Sequence, residues 1–147
     1  MGRIVGLDYG EKRLGFAVSD PTEMLSSSVC VSECRTEQEA LAEVSRICRE
    51  AAACKLVVGL PINMNGTQGP AAMGVMAFVE KVAKRIGIPV ETWDERLTTK
   101  SAHDVLIQAG TTRKRRKGIV DKLAAQIMLQ NYLDAKGSHD ADAQPEG

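Results

Sequence analysis

Arg3-Ile4-Val5-Gly6-Leu7-Asp8-Tyr9-Gly10 reads as a short apolar strand that ends in a carboxylate. Gly10 lets the backbone turn, and a second apolar run starts at Leu14. An aspartate at the exit of a buried strand is costly unless water, a metal or a partner compensates it. In α/β sheets ligands bind at the carboxyl ends of the strands. Asp8 is therefore the first candidate functional residue, and the rest of the chain is searched for its partners.

Working outward, residues 3–8 and 14–19 have hairpin spacing, with a five-residue glycine-containing loop between them. Pro21 ends the second strand. Residues 28–33 alternate polar and apolar, as an edge strand does. Thr36-x-x-Glu39 is a capping box, followed by helical spacing at Leu41, Val44, Ile47 and Ala51, which predicts a helix over 37–53. Lys55 to Leu60 is an apolar strand stopped by Pro61, and its lack of alternation suits a strand covered on both faces. A polar, glycine-rich loop follows at 61–69. The spacing then predicts a helix over 71–86 with Ala72, Val75, Met76, Val79, Val82 and Ile86 inward, closed by Gly87 as a C-cap.

Pro89 to Trp93 is a fifth strand, leading into Asp94-Glu95-Arg96. A helix from Thr98 or Thr99 to about Gln108 is expected next, ended by Gly110. The last helix is expected over 119–133, with Val120, Leu123, Ala124, Ile127 and Met128 inward. This order gives an α/β fold. Strands 1–3 form an antiparallel meander, and right-handed crossovers set strands 4 and 5 parallel to strand 1. The expected product is a mixed five-stranded sheet with helices on both faces, as one domain over 1–136. Residues 137–147 are small, polar and acidic, and are expected to be a disordered tail.

The 147 residues suffice for one domain with a real core, and 44% are apolar. No apolar run spans a bilayer, and Asp8 interrupts the only signal-peptide candidate, so the chain is expected to be soluble and cytoplasmic. The four cysteines, at 30, 34, 48 and 54, lack metal-site spacing and are expected to be buried or half-buried free thiols. Net charge is zero, yet Arg113-Lys114-Arg115-Arg116-Lys117 is an unbroken cationic run and the tail carries Asp140, Asp142 and Glu146.

In the expected topology strands 1, 4 and 5 end at one edge of the sheet. Asp8 ends the first and Asp94-Glu95 end the fifth. Asp121 lies in the first turn of the last helix, where the helix dipole favours an acid. Two carboxylates 4 Å apart repel by about 4 kcal/mol at an effective dielectric near 20. Hard divalent cations offset that with oxygen ligands. A pair of such ions activates water and stabilises the leaving oxygen in phosphodiester cleavage. Lys12, Arg13, Arg96 and the run from Arg113 to Lys117 flank these acids and suit a substrate rich in phosphates. The five aromatics offer no stacking platform, so recognition is expected to rest on backbone charge and shape.

At these same residues the chain resembles a known family. Gly6-Leu7-Asp8-Tyr9-Gly10, Val58 to Thr67, Asp94 to Thr99 and Val120 to Ala125 match motifs of the YqgF family. These are RuvX-like Holliday junction resolvases, also described as nucleases maturing the 5′ end of pre-16S ribosomal RNA. The resemblance implies an RNase H-like fold and cleavage of structured nucleic acid with Mg²⁺ or Mn²⁺. It implies catalytic and metal-binding roles for Asp8, Glu95 and Asp121, with Glu95 preferred over Asp94. The loop with Asn63, Asn65, Gly66 and Thr67 is a possible substrate loop.

Two rival readings are carried. One is a non-catalytic nucleic-acid-binding assembly or transcription factor. The other starts from Asp8-x-Gly10-x-x-x-x-Gly15, which resembles a phosphate loop of actin-like ATPases; those need two such domains, and this chain supplies one. Substrate is left between pre-ribosomal RNA and branched DNA. Symmetric cutting of a four-way junction needs two active sites. No convincing dimer surface is legible, which favours RNA and a monomer or weak dimer.

Overall fold

The structure, a computed structural model, describes residues 2–10, 12–61, 65–94 and 124–136. The strands are β1 (Arg3–Tyr9), β2 (Arg13–Ser19), β3 (Ser26–Glu33), β4 (Ala53–Leu60) and β5 (Val90–Asp94). They form one sheet in the order β3-β2-β1-β4-β5. β1 pairs antiparallel with β2, and β2 with β3. β1 pairs parallel with β4, and β4 with β5. The mixed sheet and its edge strand β3 are those the sequence pattern implies.

Two helices, α1 (Glu37–Glu50) and α2 (Pro70–Arg85), cover one face. A third, α3, is helical over 124–136 and covers the other. Strand alternation sorts the core between these faces. Val5, Leu7, Leu14, Phe16, Leu56, Val58 and Leu60 pack toward α1 and α2. Ile4, Ala17 and Val57 pack toward Ala125, Met128, Leu129, Tyr132 and Leu133 of α3. Burying each large apolar side chain contributes about 1.5–3 kcal/mol. β4 is thus covered on both faces, which is why its sequence runs apolar without alternation.

α1 starts at the capping box. Thr36 Oγ1 accepts from the Glu39 amide at 3.1 Å, and Glu39 Oε2 accepts from the Arg35 amide at 2.8 Å. The helix ends earlier than the expected residue 53. Ala52 turns the chain with φ +52°, and β4 already starts at Ala53. α2 buries Ala72, Val75 and Val82 as expected and departs from its expected face elsewhere. Phe78 is buried, Met76 is exposed and Val79 is half-buried. The cause is Tyr9, whose ring stacks on Phe78 at 4.2 Å and turns that side inward. Gly87 is not a left-handed cap, because α2 already ends at Ile86 in extended backbone.

α3 also faces differently. Ala124 and Ile127 are half-buried, while Ala125, Leu129, Tyr132 and Leu133 are buried with Met128. Its polar Gln130 and Asn131 are buried too. The four cysteines are free. Cys48 is buried and Cys30 and Cys34 half-buried, but Cys54 is exposed at the start of β4. The expected helix over 98–108, the basic run and the tail lie outside the described residues. Among the described residues no helix is long and apolar enough to cross a membrane.

Candidate active site

The parallel strands β1, β4 and β5 end at one edge, at Tyr9, Leu60 and Asp94. Asp8 sits there half-buried. Its face follows from its neighbours in β1. A Cβ built on Gly6 would lie 3.0 Å from Leu129 Cβ, so Ile4, Gly6 and Asp8 share the α3 side. Asp8 pairs across β2 with Gly15. A Cβ at Gly15 would stand 3.6 Å from Asp8 Cβ and 3.6 Å from Ala125 Cβ. Asp8 therefore lies beside the first described turn of α3, with no side chain from Gly15 crowding it. Tyr9 turns to the opposite face and anchors the strand end on α2 through Phe78.

The β1–β2 loop brings two predicted cations close to this edge. The Gly10 amide donates to the Arg13 carbonyl at 2.9 Å. A Cβ at Gly10 would meet that carbonyl oxygen at 2.9 Å, so the turn admits only glycine there. Lys12 and Arg13 are exposed. Arg13 begins β2 on the same face as Gly15, and its guanidinium lies 3.7 Å from Glu33. That exposed pair is worth little and leaves the guanidinium able to turn to a phosphate.

Across the edge, the loop after β4 is folded by its own side chain. Asn65 Oδ1 accepts from the Thr67 amide at 3.1 Å and from the Thr67 hydroxyl at 2.6 Å. Gly66 takes φ +87°. Asn65, Gly66 and Thr67 are all exposed.

At the end of β5, Val90 packs toward α1 and α2. Trp93 packs toward α3, meeting Tyr132 edge-on at 5.5 Å. Alternation therefore puts Asp94, registered on Leu60, on the face opposite Asp8. The structure thus brings Asp8, Lys12 and Arg13 to one edge and sets Asp94 on the sheet's other side. Glu95, Arg96, Arg113, Lys114, Arg115, Arg116, Lys117, Asp121 and Asn63 lie outside the described residues. Among the described residues no three His, Cys, Asp or Glu side chains cluster for a metal. Gly15, which keeps the space beside Asp8 clear, was not singled out for that role from sequence; its signal is the Asp8–Gly15 register, legible only once both strands are aligned.

A family model described as RuvX, Holliday junction resolvase, matches residues 2–135. The chain belongs to the RuvX family. That match spans all four motifs, from the β1 exit to the start of α3. Two relatives carry the name "Putative pre-16S rRNA nuclease". The one from Symbiobacterium thermophilum is 45% identical over 92% of this RuvX chain and 94% of its own. The one from Syntrophomonas wolfei is 45% identical over 90% and 94%. In fold, the RuvX chain resembles RuvC of T. thermophilus in complex with Holliday junction substrate. The TM-score is 0.60 at 12% identity, over 94% of this chain and 97% of that one. A second T. thermophilus RuvC structure gives 0.53 at 15% identity, over 92% and 96%. The fold is RNase H-like.

Proposed function

We propose that this RuvX chain is a divalent-metal-dependent endonuclease of structured nucleic acid, acting on the 5′ end of pre-16S ribosomal RNA. One observation carries the reading. The Asp8 carboxylate sits at the carboxyl edge of the sheet, on the face that α3 covers, where Gly15 leaves room beside it. The name shared by the 45%-identical relatives supports the choice of RNA. Half-buried carboxylate oxygen is a donor suited to Mg²⁺ or Mn²⁺.

Glu95 and Asp121 complete the proposed ligand set. Trp93 packs toward α3 and Asp94 lies on the opposite face from Asp8, which supports choosing Glu95 over Asp94 as the ligand. Asp121 comes four residues before Ala125 in the sequence, and Ala125 packs beside Gly15. When bound, the metal supplies an activated water and neutralises charge on the scissile phosphate. Asp8, Glu95 and Asp121 hold it in place by charge and orientation. Lys12, Arg13 and Arg96 hold flanking phosphates. The run from Arg113 to Lys117 adds backbone attraction, and Asn65, Gly66 and Thr67 border the substrate path. The protein works on RNA as a monomer or weak dimer, in the cytoplasm.

The test is a cleavage assay offering a pre-16S RNA fragment and a four-way DNA junction, each with and without Mn²⁺. Asp8→Asn and Glu95→Gln should each cost at least about a hundredfold in rate, with circular dichroism unchanged, while Asp94→Asn stays near wild type. Cleavage by Asp8→Asn at the wild-type rate sinks the metal-site reading. Metal-independent binding without turnover identifies a non-catalytic binding protein instead.

A further inference from the structure

Far from the Asp8 edge, where β4 begins and the chain approaches β5, the ends of α1 and α2 border a cavity of about 310 Å³. Its walls include Ser45, Cys48 and Arg49 of α1, Arg85 of α2, and Ile86 and Ile88 beyond it. Ser45, Cys48 and Arg49 recur at helical spacing, so one face of α1 forms one wall, with Ala52 in the turn beyond it. β4 is eight residues long, so roughly 23 Å of strand separates this cavity from the other edge.

Two features of the lining point to an anionic ligand. Arg49 and Arg85 are exposed, and among the described residues neither pairs with an acid. The nearby acids Glu43 and Glu50 are both engaged by Arg46. The ends of α1 and α2 contribute about half a negative charge each. Two guanidiniums exceed that, so the mouth is net positive. Capping of the helix ends alone would leave the arginines bonded to terminal carbonyls. α1's Ile47 and Arg49 carbonyls and α2's Val82 carbonyl are instead taken by the amides of Ala51, Ala52 and Ile86.

We propose that this cavity binds the phosphate monoester of a nucleotide-sized ligand, with Arg49 and Arg85 on the phosphate and Ile86 and Ile88 against the nucleoside. Two guanidinium forks on separate helices match three terminal oxygens and a charge approaching −2 better than a carboxylate does. The volume lies at the lower end of small-molecule sites, enough for one nucleotide and too small for a length of polymer. A free nucleotide and the phosphorylated end of a polynucleotide present the same chemistry.

The test is calorimetric titration of the full chain with AMP, adenosine, and a trinucleotide bearing either a 5′-phosphate or a 5′-hydroxyl. AMP should bind at least about tenfold tighter than adenosine. Arg49→Gln and Arg85→Gln should each weaken AMP by about tenfold or more. Both side chains are exposed, so circular dichroism and the unliganded melting temperature should not change. Asp8→Asn should bind AMP as the wild type does, which separates this site from the carboxylate edge and its fate from that of the nuclease reading. Preference for the phosphorylated trinucleotide identifies a polynucleotide end as the source, and preference for AMP a free nucleotide; either supports the site. Equal affinity for adenosine and AMP, no binding at millimolar AMP, undiminished AMP binding by the double arginine variant, or loss of binding in Asp8→Asn overturns it.

Discussion

Asp20 shows what one carboxylate does at a chain reversal. Between β2 and β3 its Oδ1 accepts from the amides of Met24 at 2.9 Å and Leu25 at 3.0 Å. Its other oxygen accepts from the Thr22 hydroxyl. These bonds favour the charged form, the Thr22 hydroxyl most, and hold the carboxyl at about 2, below its ordinary 3.8. A carboxyl depressed on folding stabilises above its unfolded pKa, and that stability is lost as pH falls through the folded value. Asp20→Ala should therefore melt below wild type at about pH 6, and the gap should close between about pH 4 and pH 2. Melting curves across that range check it, and a pH-independent gap would refute it. Single residues were unevenly legible. Asp8 was readable because a strand ending in a carboxylate is conspicuous. The face of Asp94 was not readable, because Val90 and Trp93 are both apolar and pattern alone could not say which faced which core.

At the scale of elements, α3 depends on partners a hundred residues away. Gln130 Oε1 accepts from the Ser26 amide at 3.0 Å, and Gln130 Nε2 donates to the Met24 carbonyl at 3.0 Å and to Asp134 at 2.9 Å. Gln126 Nε2 adds a bond to the Ser26 carbonyl at 3.2 Å. These bonds fix α3 along the start of β3 and so set where Ala125 meets Gly15. Gln130→Leu strands the Ser26 amide and the Met24 carbonyl, and should cost about 2–3 kcal/mol, read as a lower urea midpoint at unchanged slope. Cleavage should fall with it if the placement of α3 matters to Asp8. An unchanged midpoint would mean that water replaces these bonds. This network explains why the inward face of α3 was misread. Periodicity ranks residues by apolarity, and nothing local marks Gln130 and Asn131 as buried. The strands and α1 were legible because alternation and the capping box are local signals, whereas the face of α2 turned on a contact between Tyr9 and Phe78, far apart in sequence.

For the whole molecule, topology was the most legible property, since the order of elements and right-handed crossovers leave few alternatives. The same architecture assigns unequal weight to the two ends of the last segment. α1 and α2 share one face of the sheet, while among the described residues α3 alone covers Ile4, Ala17 and Val57 on the other. Met128, Leu129, Tyr132 and Leu133 are all buried there. At about 1.5–3 kcal/mol each, their burial is worth roughly 6–12 kcal/mol, on the scale of a domain's entire stability. A chain ending at residue 123 should therefore lose cooperative unfolding and bind a dye specific for exposed apolar surface. A chain ending at Lys136 keeps all of α3, including the ion pair of Lys136 with Glu23 at 3.1 Å. It should unfold at the full-length midpoint in urea. It also sheds Asp140, Asp142 and Glu146 and no Lys or Arg, moving formal net charge from zero to +3. Its affinity for RNA at low salt should rise, and the gain should vanish as salt screens it. A lower urea midpoint for this shorter chain would place residues 137–147 within the folded domain and break the proposed boundary at 136. Unchanged RNA affinity at every salt concentration would show instead that the acidic segment lies beyond electrostatic reach of the binding surface.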